Sequence, residues 1–386
     1  MIKDLFLLDP SVTFFNHGSF GACARPIFED YQRWQLELER QPVEFLIRRY
    51  PQLMQTSRSA LADFIGCAAD EMVYVPNATT AGNIVARSLE FEAGDEILAT
   101  DLEYGAMDRM WAAVTEKAGA TYHRVEIELP VSTSEAFVDR VWSEVTPNTR
   151  LLFMSHITSS TGLVLPVEPL IERAREAHIP VFIDGAHVPG QLDLNIRDLG
   201  ADFYTGNCHK WLMTPKGSAF LYVRPEWQHI IKPLVVSWGN SSLEDSAFIQ
   251  ENEYQGTSDI AAYLAVPAAI KFFHEHDWSR RRLQCRERGQ RIRQLFIDVF
   301  GGPAIAPAGS EWYAQLVAHQ ISGPGSPLLQ SKLYENHKLE IPVSEQNGTW
   351  YIRASVQVYN DDTDIQKLED ALYDIWPSIN SLDGDR

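Results

Sequence analysis

Cysteine is scarce in this chain. Cys23, Cys67, Cys208 and Cys285 are the four among 386 residues. They are widely spaced and form no C-x-x-C pair, which excludes a disulfide framework, and no metal site is expected. No cysteine follows Cys285. Long apolar runs are missing too: nothing approaches the roughly 18 residues needed to span a bilayer, and the chain does not start with a basic, apolar signal pattern. A cytoplasmic protein without a membrane partner is therefore expected. Positive charge is in short supply, with 33 Lys and Arg against 52 Asp and Glu and a net charge of −19. That balance argues against a nucleic-acid surface, although a local anion site remains compatible with it. There is no internal repeat and no low-complexity segment; the tail 381–386 is polar.

What is present is ordinary globular material. Apolar residues make up 45% and charged residues 22% of the chain, and the length suffices for one large α/β domain with a smaller one beside it. The most informative stretch is 202–217, DFYTGNCHKWLMTPKG. Apolar pairs flank a polar turn that holds Lys210 between His209 and Trp211. Such a lysine is either a loop side chain lying along Trp211 or a desolvated amine poised as a nucleophile, because burial disfavours the ammonium form. Upstream, PVFIDGAHVPG (180–190) carries a short apolar run that reads as a buried parallel strand ending on Asp184. Open α/β sheets bind ligands at the carboxyl ends of their strands. An aspartate there is either a helix cap or a buried anion awaiting a cation. An acid ending one strand and a lysine just past the next are the two handles that pyridoxal phosphate requires. The acid pairs with the protonated pyridine nitrogen, and the lysine forms the Schiff base.

With these motifs, and with FNHGSFG at 15–21, the chain resembles the class V aminotransferase group of fold-type I pyridoxal-phosphate enzymes. The resemblance covers nearly the whole chain and is closest to the isopenicillin N epimerase-like branch. It implies an α/β fold, with a mainly parallel seven-stranded sheet in a large domain (21–264) and a smaller α+β domain built from 1–20 and 265–386. The alternation of strands at 72–75, 95–100, 120–125, 150–155, 180–184 and 201–205 with helical stretches agrees with such a doubly wound sheet. Further helices are expected at 26–50, breaking near Pro42, and at 261–274 and 280–300. Arg48 and Arg49 are either solvated or directed at a substrate acid or a second subunit.

Site residues follow in the same way. NATTAGN (77–83) opens a helix whose start is either a plain N-cap or a phosphate cradle. The resemblance makes it the cradle, with Thr79 and Thr80 as donors. Tyr104 stands where the family stacks a ring on the pyridine face. Ser159 stands where relatives often carry an asparagine near the 3-hydroxyl. His187 matches a contact to the 3-oxygen, His209 a donor on the phosphate side, and Thr257 a threonine that reaches the phosphate of a neighbouring subunit, which implies a homodimer. Asn16 and His17 are either a helix start or substrate contacts. Arg353, alone in the apolar run TWYIRASVQVY (349–359), needs an anion: a structural carboxylate, or, as the resemblance implies, the α-carboxylate of an amino-acid substrate. Lys210, Asp184 and Tyr104 are the expected catalytic set. The reaction is expected to be epimerisation or C–S lysis, with transamination as the alternative. A cysteine desulfurase is not expected, because the family's sulfur-accepting cysteine lies in the C-terminal third. A non-catalytic cofactor-binding protein is disfavoured by the joint presence of Lys210, Asp184 and Arg353. Loops 235–252 and 309–326 are expected to shape selectivity.

Overall fold

The computed structural model describes residues 2–239, 246–309 and 311–381. Parts of both expected selectivity loops, 240–245 and Ser310, and all of the tail beyond Ser381 lie outside the described residues.

Twelve strands occur among these residues: β1 Thr13–Phe14, β2 Met72–Val75, β3 Glu96–Thr100, β4 Thr121–Val125, β5 Thr149–Ser155, β6 Val181–Asp184, β7 Phe203–Asn207, β8 Ala219–Val223, β9 Leu316–Ile321, β10 Leu339–Glu340, β11 Val343–Gln346 and β12 Thr349–Ser355. Seven of them form one sheet in the order β2-β8-β7-β6-β5-β3-β4. The pairs from β4 through β7 are parallel, and β8 is antiparallel to both β7 and β2. The exception has a local cause. Residues 208–218 contain no helix, and a parallel return needs a crossover of about a dozen residues or more, usually helical. The chain therefore turns straight back, and Lys210 sits in that turn.

Successive residues of a strand face opposite sides of the sheet. Leu151, Phe153 and Phe182 accordingly join one buried cluster, and Leu152, Met154, Val181 and Ile183 join the other. Both faces are covered, which is why β6 reads as a continuous apolar run. β9, β11 and β12 form a separate antiparallel sheet against which the helix Trp278–Phe300 packs. The N-terminal segment joins this C-terminal part: β1 pairs with β10, and Asn16 bridges to Ser355.

Several helices differ from expectation in their breaks. The helix expected at 26–50 is instead Arg25–Arg40, followed by a wider π-helical turn over Glu44–Arg49 and a second helix, Tyr50–Ile65. Arg48 pairs with Glu44 at 2.6 Å and Arg49 with Glu37 at 2.9 Å, so both arginines are occupied by neighbouring acids at the surface. The helix expected at 261–274 divides into Ala261–Leu264 and Val266–Glu275, with Pro267 in the first turn of the second, where a missing N–H costs nothing.

Candidate active site

Five strand ends converge on one cleft. β2 leads to Asn77, β3 to Tyr104, β5 ends on Ser155, β6 on Asp184 and β7 on Asn207. All five residues line a cavity of about 160 Å³ together with Ser19, Phe20, Thr79, Ser159, His187, His209 and Lys210. This is the carboxyl edge of the parallel strands, where loop residues are free of the ladder and can face a ligand.

Lys210 is partly buried at the cavity wall, and its amine is pushed down to about 8, first by burial and then by Arg353, with Asp184 pulling the other way. Its Nζ lies 3.2 Å from His187 Nε2. Asp184 is buried. Its Oδ1 accepts the Ala186 N–H at 2.9 Å, and burial raises its pKa. Gly185 is required behind it, because a Cβ there would stand 2.2 Å from the Tyr204 hydroxyl.

At the helix Ala78–Ser88, Asn77 is the N-cap. Its Oδ1 accepts the Thr80 N–H at 2.8 Å and the Thr80 hydroxyl at 3.1 Å. Asn207 Oδ1 accepts the Ala78 N–H at 2.9 Å. Thr79 is left, among the described residues, with an N–H and a hydroxyl that no protein group engages, at the positive end of the helix dipole. Of the expected pair of phosphate donors, Thr80 closes the cap and does not line the cavity, whereas Thr79 does. His209 Nδ1–H donates to the Ser218 carbonyl at 2.8 Å, and burial, then Lys210, lowers its pKa to about 4. Tyr104 lines the cavity half exposed, just ahead of the helix Gly105–Ala118.

Arg353, on β12, is buried behind this wall. Nη1 donates to the Ser159 carbonyl, and Nη2 donates to Ser19 Oγ at 3.1 Å. Both partners line the cavity. Nε has no partner, and no carboxylate neutralises the guanidinium among the described residues. Burial pushes its pKa down to about 10.

Two expected substrate contacts are corrected. His17 does not line the cavity: its Nδ1 meets the Tyr359 hydroxyl at 3.0 Å and the Ala22 N–H at 3.2 Å, and its Nε2 meets the Lys210 carbonyl at 3.1 Å. Burial lowers its pKa to about 3, so it is a neutral structural pin beneath the lysine turn. Asn16 Nδ2 is taken by Glu340 at 2.9 Å. The next turn of the same motif, Ser19 and Phe20, lines the cavity instead. Gly21 lets that segment approach, since a Cβ there would stand 2.0 Å from the His209 carbonyl. Thr257 is exposed and outside the cavity.

Glu103 was not anticipated. It is buried, takes the Thr100 hydroxyl at 2.6 Å and both the N–H and the hydroxyl of Ser155 at 2.8 and 2.6 Å, and burial pushes it up to about 8. Its only sequence signal is its place before Tyr104, which an ordinary helix start would share.

The sequence profile described as "Aminotransferase class-V" matches residues 28–296. The chain belongs to the class-V aminotransferase family. Among curated relatives, isopenicillin N epimerase of Streptomyces clavuligerus is 35% identical over 380 residues, covering 95% of each chain. A probable chloroplastic L-cysteine desulfhydrase of Arabidopsis thaliana is 30% identical over 399 residues, covering 94% of this chain and 83% of the relative. Among solved structures, the cystine C–S lyase C-DES with its product cysteine persulfide superposes with a TM-score of 0.81 at 23% identity, over 97% of this chain and 99% of that one. This class-V chain is thus an enzyme of a pyridoxal-phosphate family. The cleft also fits that cofactor on its own chemistry: a partly buried amine at Lys210, a buried carboxyl at Asp184 with a single internal donor, an open helix start at Thr79, and the ring of Tyr104 at the cavity wall.

Proposed function

We propose that this class-V enzyme removes and returns a proton at the α-carbon of an amino acid, with epimerisation or C–S lysis as the outcome. The observation that carries the reading is Arg353, a buried guanidinium with an unpartnered Nε and, among the described residues, no carboxylate beside it. A group of that kind is matched by a ligand carboxylate, which a guanidinium grips through two parallel hydrogen bonds. When bound, pyridoxal phosphate supplies an electron sink that makes the α-hydrogen of the amino acid acidic. Asp184 would hold the ring nitrogen in its protonated form, and Thr79 and His209 would hold the phosphate. Lys210 Nζ is the group that would attach the cofactor and then carry the α-proton, since its lowered pKa leaves an appreciable neutral fraction near pH 7–8. Ser159 and His187 line the cavity, the first bonded through its carbonyl to Arg353 and the second beside Lys210.

The kinship with both epimerases and desulfhydrases favours these outcomes over transamination. A desulfurase needs a cysteine at the site to accept sulfur; none of the four lines this cavity, and Cys208 and Cys285 are buried. The division into a large domain (21–264) and a small one (1–20 with 265–386) is part of the same proposal, as is a cytoplasmic homodimer. Supporting the dimer, Ile47 and Trp238 expose 63% and 99% of their surface on one cleft with Tyr254, three residues before the exposed Thr257 in sequence.

The test is α-hydrogen exchange in D2O, followed by proton NMR with L-cysteine, L-cystine and a panel of other L-amino acids. Wild type should lose the α-hydrogen signal for its substrate, and Lys210→Ala should not. Appearance of the D-isomer then marks epimerisation, and pyruvate with sulfide marks lysis. A chain that holds its cofactor yet exchanges no α-hydrogen across the panel would overturn the proposal.

A further inference from the structure

The residue after the lysine, Trp211, has a second role. Trp211 is wholly buried, and its indole N–H donates to His187 Nδ1 at 3.2 Å. An indole nitrogen only donates, so Nδ1 of His187 must be the bare, accepting nitrogen. A neutral imidazole then carries its proton on Nε2. That N–H stands 3.2 Å from Lys210 Nζ. It meets a lone pair if the lysine is a neutral amine, and it meets another donor if the lysine is an ammonium.

We infer that Trp211 is a positioning residue that fixes His187 in its Nε2–H tautomer, so that the histidine favours the neutral, reactive amine of Lys210. The inference rests on Lys210 being the reacting amine, and it concerns what sets that amine's protonation. Without the indole N–H, the imidazole is free to move its proton to Nδ1 and present Nε2 as an acceptor. An ammonium at Lys210 would then gain a hydrogen bond it lacks in the wild type, and the lysine would hold its proton to higher pH.

The other charged and titratable groups around Lys210 leave this step to the histidine. Asp184, at the end of β6, stabilises the ammonium, and Arg353, from β12, destabilises it. His17, from the N-terminal segment, is neutral and spends its Nε2 on the Lys210 carbonyl. His209, the preceding residue, is turned to Ser218. The His17 ring packs 4.9 Å from the Trp211 ring, so the indole is held on both sides and has little freedom to release His187.

The experiment uses the full-length chain freed of cofactor. Pyridoxal phosphate is added over a range of pH, and the growth of the visible band is followed by stopped flow, which reads the neutral fraction of Lys210 without any substrate. In Trp211→Phe the pH midpoint should rise by about one unit, leaving about tenfold less neutral amine and about tenfold slower attachment near pH 7. In a His187→Gln background the same tryptophan replacement should add no further shift, because the group it acts through is gone. A purely structural tryptophan would produce equal shifts in both backgrounds, or none in either, and both results overturn the inference. Should Trp211→Phe fail to fold, nitrogen-15 NMR of labelled histidine in the wild-type chain decides: His187 protonated on Nε2 supports the inference, and protonation on Nδ1 overturns it. If the cofactor attaches elsewhere than Lys210, it is the proposed function that fails, and the tautomer measurement still stands by itself.

Discussion

Arg353 and Arg58 are both buried arginines, and replacing each with methionine should give opposite results. Arg58 is 2% exposed and ion-paired with Glu253, which is fully buried. Removing one partner of such a buried pair costs about 3–5 kcal/mol. Arg353 is paired with no acid among the described residues. Its pKa falls from 12.5 to about 10 through burial, and at 1.36 kcal/mol per unit that is roughly 3 kcal/mol by which its charged form is disfavoured. Arg353→Met removes that penalty. It also loses the hydrogen bonds to the Ser159 carbonyl and Ser19 Oγ, about 1.5 kcal/mol each for a charged donor. The two effects nearly cancel, so the variant should unfold in urea within about 1 kcal/mol of the wild type. Amino-acid affinity should fall by about a hundredfold, as expected when one member of a desolvated charge pair is truncated. The assay is urea unfolding followed by circular dichroism with no amino acid present, paired with amino-acid titration of the cofactor band. An Arg353→Met loss as large as that of Arg58→Met would mean that Arg353 holds the fold together, and the carboxylate reading would be wrong.

Two further outcomes are expected. The pKa of His17 falls from 6.5 to about 3 on folding. The unfolded chain therefore binds the extra proton between those values, and the stability this residue contributes is complete above about pH 6.5 and is lost as pH falls toward 3, at about 1.4 kcal/mol per unit. Urea midpoints at pH 7 and pH 5 should diverge less in His17→Gln than in wild type; an unchanged divergence would return His17 to a site accessible to solvent. At the helix start, Thr80→Val should lower thermal stability by about 1 kcal/mol or less and leave cofactor affinity alone, because its hydroxyl serves only the Asn77 cap. Thr79→Val should weaken pyridoxal-phosphate affinity by about tenfold through a lost hydroxyl donor. Equilibrium dialysis of both variants checks this, and equal losses would restore Thr80 to the cradle.

The sequence alone determined the chemistry-bearing residues whose position along the chain is enough to place them. β6 is buried on both faces and so appears as an unbroken apolar run, and the aspartate that ends it falls at the carboxyl edge of the sheet without further information. Lys210 is legible for the same reason, lying in the first turn after β7. Arg353 stood out because a guanidinium in an apolar strand demands an anion. Tertiary structure decided everything that depends on which atoms are already occupied. Thr79 and Thr80 are the same residue type one position apart, and only the side chain of Asn77 distinguishes the capped one from the open one. Asn16 and His17 sit in a motif that reaches the site, but their polar atoms are consumed by Glu340, Tyr359 and the Lys210 carbonyl, partners far away in sequence. The burial of Glu103 and the indole bond that fixes the His187 tautomer leave no mark in the local sequence. A hydrogen bond needs its partner within about 3 Å, and for Asn16 and His17 it is the packing of the N- and C-terminal segments against each other that brings the partner there.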